Sequence, residues 1–172
     1  ADLSCINRAH IVLLPKGEGV LSPAGFRPVS LHNCDVKLLC KALTTRLQHQ
    51  IPGLIDPDQS GFIKGRSISE NFVYAVEIVQ CCDSRKAPSL VLKLDFAKAF
   101  DSISWQSLRR IMEVRGFPAR WCDWMDAIFR SSMSAVLLNR VPGRWITCKK
   151  GLRQGNPISP YLFLLVADVL QR

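Results

Sequence analysis

The order of strand-like and helix-like segments predicts an α+β fold: a hairpin, helices, a strand, helices, a second hairpin and a final helix. Two further observations agree with it. A chain of 172 residues suits one domain, or part of a larger one, with a sizeable buried core. Its 48% apolar and 22% charged residues are the proportions of an ordinary globular protein, and no repeat, low-complexity tract or linker divides it.

Residues 10–14 (HIVLL) and 26–31 (FRPVSL) read as two short strands, joined by a loop holding Lys16, Gly17, Gly19, Pro23 and Gly25. Val36, Leu39, Cys40, Leu43 and Leu47 then recur at helical spacing, with Lys37, Lys41, Thr44 and Gln48 opposite. That helix is expected to end near Pro52 and Gly53. A second helix, from about Ser67, is expected to bury Ile68, Phe72, Ala75, Val76 and Val79. A polar turn at 84–89 leads into a strand over Leu90–Leu94. Ser102 or Ser104 can cap a helix covering Trp105–Arg115, which Gly116 stops. Pro118 suits the first turn of a helix running to about Arg130. Strands near Ser134–Leu138 and Arg144–Cys148 flank a turn at Val141-Pro142-Gly143, and the last helix starts around Ser159 and Pro160. Trp105, Trp121, Trp124 and Trp145 fall in these helices and strands, which suits core packing better than base stacking.

Charge is the departure from average. Twenty-three Lys and Arg against fourteen acids give +9, an excess that favours polyanionic partners. The stretch from Arg140 to Arg153 holds five cations (Arg140, Arg144, Lys149, Lys150, Arg153) and no acid. Seven cysteines without a C-x-x-C pair, and three histidines without ligand spacing, read as reduced intracellular thiols acting as small core hydrophobes, not as a metal site. No stretch reaches transmembrane length; the longest candidate, after Tyr161, is interrupted by Asp168. The absence of Met at position 1, and the helical pattern running to Arg172, read as a fragment of a longer frame.

Two segments carry the chemistry, LKLDFAKAFD (92–101) and GLRQGNPISP (151–160). Asp95 closes an apolar run, so a strand there would deliver its carboxylate at the strand end; by itself it better suits a turn cap or a pair with Lys98. Gly151 and Gly155 allow close backbone approach, and Gln154 between them offers a donor and an acceptor. In this order, with Phe100 five residues after Asp95, the segments resemble the A and B motifs of reverse transcriptases, in particular those of plant-like non-LTR (LINE-type) retrotransposons. LLPKGEG (13–19) and FRPVSL resemble the two arms of that family's fingers hairpin, and QSGFIKGRS (59–67) matches it as well. The resemblance covers nearly the whole chain.

It implies a right-hand polymerase: mainly fingers over about 1–89 and a partial palm over about 90–172, stopping before the family's paired aspartates. It implies RNA-directed DNA synthesis with an RNA template, a DNA primer and deoxynucleoside triphosphates. Two Mg²⁺ ions, or Mn²⁺, would be held in the complete enzyme, with Asp95 as catalytic ligand and the Phe96 carbonyl beside it. It implies Lys16 and Arg27 on the triphosphate, Phe100 beneath the sugar excluding a 2′-hydroxyl, and Gln154 and Gly155 against the incoming nucleotide. Lys64 and Arg66 would meet the template backbone, with Arg66 equally suited to bracing the fingers internally. The basic run, with Lys149, Lys150 and Arg153, would lie on nucleic acid. Asp101 is expected to be a structural acid, and Asn156 stands where many members have Asp. Other domains, an endonuclease among them, are implied in the parent polypeptide, and the nucleus by family analogy; no membrane is implied. The fragment alone is expected to be inactive. Two rival readings stay open: a non-catalytic nucleic-acid-binding remnant, and an RNA-dependent RNA polymerase, which a bulky residue at position 100 disfavours.

Overall fold

In the computed structural model, which describes residues 3–171, the N-terminal hairpin forms as expected. Strand β1 (Arg8–Pro15) and β2 (Phe26–His32) pair antiparallel in the register Ile11↔Ser30 and Leu14↔Arg27, with a 3₁₀ turn at Pro23–Gly25 between them. Strand β3 (Met133–Leu138) then runs parallel beside β1, and β4 (Val141–Pro142) and β5 (Ile146–Thr147) both pair antiparallel with β3. The path β2-β1-β3-β4, with β5 on β3, therefore joins segments more than a hundred residues apart. The two parts expected on either side of residue 89 share this sheet and one core.

Helix α1 (Cys34–Gln48) buries Val36, Cys40, Leu43, Thr44 and Leu47. Thr44, expected to face outward, is inside because its hydroxyl donates 2.7 Å to the Cys40 carbonyl, while Leu39 lies at the rim. A four-residue turn of helix, α2 (Ile51–Leu54), follows after a break at His49 and Gln50. Helix α5 (Trp105–Val114) starts on Ser104, whose hydroxyl accepts from the Ser107 N–H at 3.3 Å. It stops at Gly116 (φ +78°), where the Gly116 and Phe117 amides donate to Glu113 and Met112. Helices α6 (Ala119–Arg130) and α7 (Ser159–Gln171) complete the layer. Leu108, Met112, Cys122, Met125, Leu162 and Leu165 are fully enclosed with Val36, Cys40 and Leu47 in one cluster.

Four expectations are corrected. Leu90–Leu94 is not a strand: it belongs to no element, and Leu90, Val91, Leu92 and Leu94 are 70% exposed or more. An extended run is held by ladder bonds to a neighbour, and none of the described strands reaches it. Helix α3 (Ile68–Ser84) forms, capped by the Ser67 hydroxyl, yet buries nothing; Ile68, Phe72, Val76 and Val79 stand in solvent, since spacing dictates a helical face but not its cover. The second hairpin turns at Asn139 and Arg140, both with positive φ, and not at Pro142. Two left-handed residues match the twist of the strands, and the fixed φ of Pro142 suits the edge. Among the seven free cysteines only Cys40 and Cys122 are buried in the core; Cys5, Cys34 and Cys81 are exposed.

Two buried polar devices fasten the layers. Asp168, fully enclosed in α7, accepts from Arg115 and, at 2.6 Å, from the Asp56 amide, while Arg115 also donates to the Leu54 carbonyl. Asn156 accepts from the Ile158 amide at 3.2 Å and points its amide at the Cys40 sulfur, fixing the start of α7. No helix among the described residues is long and apolar enough to cross a membrane.

Candidate active site

The two motifs that the sequence singles out meet through their backbones. Residues 99–102 form a short helix, α4 (Ala99–Ser102), entered through Lys98 in the left-handed region. Within it the Phe100 carbonyl accepts from Leu152 N–H, and directly after it the Ile103 carbonyl accepts from Gly151 N–H, each at 2.7 Å. The Trp105 indole donates 2.8 Å to the Gly151 carbonyl and stacks on Phe129. Gly151 has to be glycine here: its φ is +85°, and a Cβ would lie 2.9 Å from the Asp101 carbonyl oxygen. The Phe100 ring is half-buried and stacked on Phe163 of α7, centroids 4.9 Å apart. It thus has a core role whatever else it does.

The following turn is pinned to the hairpin. Ser30 of β2 donates its N–H to the Gln154 carbonyl at 2.9 Å, and Gly155 (φ +100°) lies so close that a Cβ would stand 2.8 Å from the Ser30 carbonyl oxygen. A cavity of about 350 Å³ opens beside this junction, with Ser30, Asp101, Trp105, Cys148, Arg153 and Gln154 in its wall. Asp101, rather than Asp95, is the carboxylate that lines it. Asp95 lies in the exposed, irregular segment before α4, and its side chain makes no ion pair among the described residues. Phe96 beside it is 51% exposed, so its carbonyl stands in the same open segment.

Arg153 departs from the sequence expectation. Its guanidinium donates 2.9 Å to Asn7 Oδ1, 2.6 Å to the Met133 carbonyl and 3.4 Å to the Asn7 carbonyl, bolting the turn to the starts of β1 and β3. It is an internal strut. Asn7 is buried and also donates to the Ile128 carbonyl, so this junction rests on a residue that the sequence reading did not single out. No signal in the sequence marks Asn7, because all its side-chain partners lie more than 120 residues away. Burial and the strut together shift local titration. Burial first, and then the Arg153 charge, bring His32 down to about 4, so it is neutral at pH 7. Burial raises the Cys148 thiol, but the Ser134 hydrogen bond, the Arg153 charge and the Ser132 contact outweigh it and leave it lowered.

The remaining candidates sit apart. Arg27 is exposed on β2, three residues and so about 10 Å along the strand from Ser30. Lys16 folds its ammonium onto the Ala24 carbonyl at 2.9 Å while its N–H bonds Gly25. Lys149 and Lys150 are exposed, and Lys150 borders the cavity. Arg66 braces its own loop, donating to the Asp56 and Gln59 carbonyls at 2.6 and 2.7 Å, whereas Lys64 is exposed beside it. For a divalent ion, the donor chemistry of Asp95 and the Phe96 carbonyl is right, being hard oxygen, but the set is too small. Among the described residues no group of three His, Cys, Asp or Glu is placed to hold a metal.

Comparison with known proteins identifies the lineage. Residues 14–172 match the family model described as reverse transcriptase (RNA-dependent DNA polymerase). The chain is 30% identical over 164 residues to a retrovirus-related Pol polyprotein from the type-1 retrotransposable element R2 of Nasonia vitripennis, covering 95% of this chain and 16% of that protein. It is 29% identical over 167 residues to the Pol polyprotein of element R2DM from Drosophila melanogaster, with coverage of 97% and 16%. To the transposon TX1 149 kDa protein of Xenopus laevis it is 30% identical over 166 residues, with coverage of 96% and 13%. It spans about one-sixth or less of the length of these relatives. With its two signature turns hydrogen-bonded to one another and its match running nearly end to end, the chain belongs to the reverse transcriptase family, in the branch of the non-LTR retrotransposons.

Proposed function

We propose that this chain is the fingers and part of the palm of an RNA-directed DNA polymerase that extends a DNA primer on an RNA template. The observation that carries the reading is the backbone junction of Phe100 and Ile103 with Leu152 and Gly151, together with the seating of Gln154 on Ser30. On this reading it would set the turn that contacts the nucleotide between a hairpin bearing cations and the segment bearing Asp95.

Within that reading each side chain has a task. Gln154 and the bare backbone of Gly155 abut the incoming nucleotide; Phe100, stiffened by its stack on Phe163, limits the space beneath the sugar. Arg27, exposed on β2, offers a planar fork to phosphate oxygens, and Lys16 a point charge once it leaves the Ala24 carbonyl. Lys64, Lys149 and Lys150 attract nucleic-acid backbone without reading sequence, an attraction that weakens as salt rises. Arg66 and Arg153 act as struts that set the two loops. Asp95 and the Phe96 carbonyl would contribute oxygen ligands to Mg²⁺. Such ions, when bound, neutralise the triphosphate and favour the attacking 3′-hydroxyl. The further acids would come from sequence outside this chain, and the 172 residues alone would not polymerise.

Primer extension on an RNA template tests this directly, using the chain and a polypeptide carrying further natural sequence after residue 172. The longer form is expected to synthesise DNA and the chain alone is not. Robust synthesis by the chain alone would contradict the division of ligands; none by any longer form would favour the remnant reading.

A further inference from the structure

The loop 59–67 holds an aromatic side chain in a conformation that its own packing does not explain. Phe62 has a φ of 60°, a left-handed conformation that is a steric outlier for a bulky residue, yet the residue is 63% exposed. Buried contacts therefore do not compensate for the strain. Residues flanking it are buried, Ser60 two positions before and Ile63 directly after, so the kink turns the ring outward between two anchored residues. The loop is stiff. Arg66 clamps the Asp56 and Gln59 carbonyls, and Asn71 donates 2.6 Å to the Asp58 carbonyl.

The ring borders an open groove of about 530 Å³ whose wall includes Gln48, Lys64, Arg66 and Tyr161, and, among the described residues, no acidic one. Tyr161 is held by Gln48 and lies on α7, seven residues beyond Gln154. An exposed aromatic face beside an unopposed cation matches a polyanion that carries flat apolar rings. We propose that Phe62 is a stacking platform for an unpaired base of single-stranded RNA, with Lys64 holding the adjoining phosphate, in the groove between loop 59–67 and Tyr161. This rests on the reading of the chain as a polymerase domain that grips a template. It assigns the base contact to a residue whose neighbours, Lys64 and Arg66, carry the charge.

Anisotropy of a labelled single-stranded RNA, titrated with the full chain, tests it. Phe62→Ala is expected to weaken binding roughly tenfold, and Phe62→Tyr to leave it within about twofold. Lys64→Ala is expected to lower the salt dependence, which Phe62→Ala leaves unchanged. Phe62→Gly removes the strain as well as the ring, so it should bind as weakly as the alanine variant while melting at an equal or higher temperature. That result excludes misfolding as the cause. A blunt RNA duplex of the same sequence should not distinguish Phe62→Ala from the parent chain. The proposal is overturned if Phe62→Ala binds the single strand as the parent does, or if it loses as much on the duplex. A parent chain that binds no RNA at all would overturn the polymerase reading itself, a different and recognisable outcome.

Discussion

Replacing Gly155 by alanine is expected to destabilise the protein by about 2–4 kcal/mol, and the structure separates the contributions. The left-handed backbone at φ +100° costs an L-residue roughly 1–2 kcal/mol. The new methyl would stand 2.8 Å from the Ser30 carbonyl oxygen, where ordinary contact begins at 3.4 Å, so the hairpin or the turn must shift. Backbone shifts of that kind cost about 1–3 kcal/mol, and the reduced freedom of the unfolded alanine chain offsets about 0.4–1 kcal/mol. Two other glycines act as controls. Gly116 shares the positive φ (+78°) but has nothing within 4 Å, so Gly116→Ala should cost about 1 kcal/mol. Gly53 has neither feature, so Gly53→Ala should be neutral or slightly stabilising. Urea unfolding followed by circular dichroism measures all three, and the melting temperature of Gly155→Ala should fall by roughly 4–16 °C. If Gly155→Ala costs no more than Gly116→Ala, the turn is not seated on Ser30 and the site's geometry is wrong.

Other expectations follow from the buried polar groups and from the stacked ring. Asp168→Asn should cost roughly 3–5 kcal/mol, because it leaves the largely enclosed Arg115 without its countercharge; an Arg115→Met/Asp168→Leu pair should recover much of that in the same urea assay. His32, held down to about 4 by burial and Arg153, takes up a proton more readily in the unfolded chain, whose value is 6.5. Its contribution to stability is therefore complete above about pH 6.5 and is lost as pH falls towards 4; His32→Gln should flatten that part of the urea-midpoint profile, and an unchanged slope would contradict the assignment. Phe100→Val, in a polypeptide that extends primers, should raise ribonucleotide use relative to deoxynucleotide use. It should also cost about 1–3 kcal/mol through the lost Phe163 stack, so a stability change without a change in sugar preference would make Phe100 core alone.

The parts legible in the sequence are those decided within a few residues. Ser67 and Ser104 cap helices, Gly116 ends one, and the strand pair around Gly17–Gly25 closes as a hairpin, because each needs only its immediate neighbours. Apolar spacing located α3 and a run at 90–94 but not what covers them, since both burial and strand pairing depend on distant partners. The parallel alignment of β1 with β3 is equally non-local. Polar residues are not legible where their partners are remote in sequence. Arg153 stands among surface cations in the sequence yet reaches Asn7, and Asp168 looked like an interruption of an apolar helix yet anchors Arg115. At the site, the glycines marked the close approaches correctly, while the choice of Ser30 and Asp101 as their neighbours was visible only in three dimensions.

The measurement that bears most directly on the proposed chemistry is the single-turnover rate of nucleotide addition by a longer, active polypeptide carrying Asp95→Asn, set beside Asp101→Asn. Asp95→Asn should lower the rate by roughly 10² or more at every Mg²⁺ concentration, as loss of a charge at the reacting phosphates does. Asp101→Asn should stay within about tenfold of the parent, its backbone contact with Gly151 being retained. Near-parent addition by Asp95→Asn, or the reverse order of the two variants, would contradict the account and move the catalytic carboxylate to the wall of the Gln154 cavity.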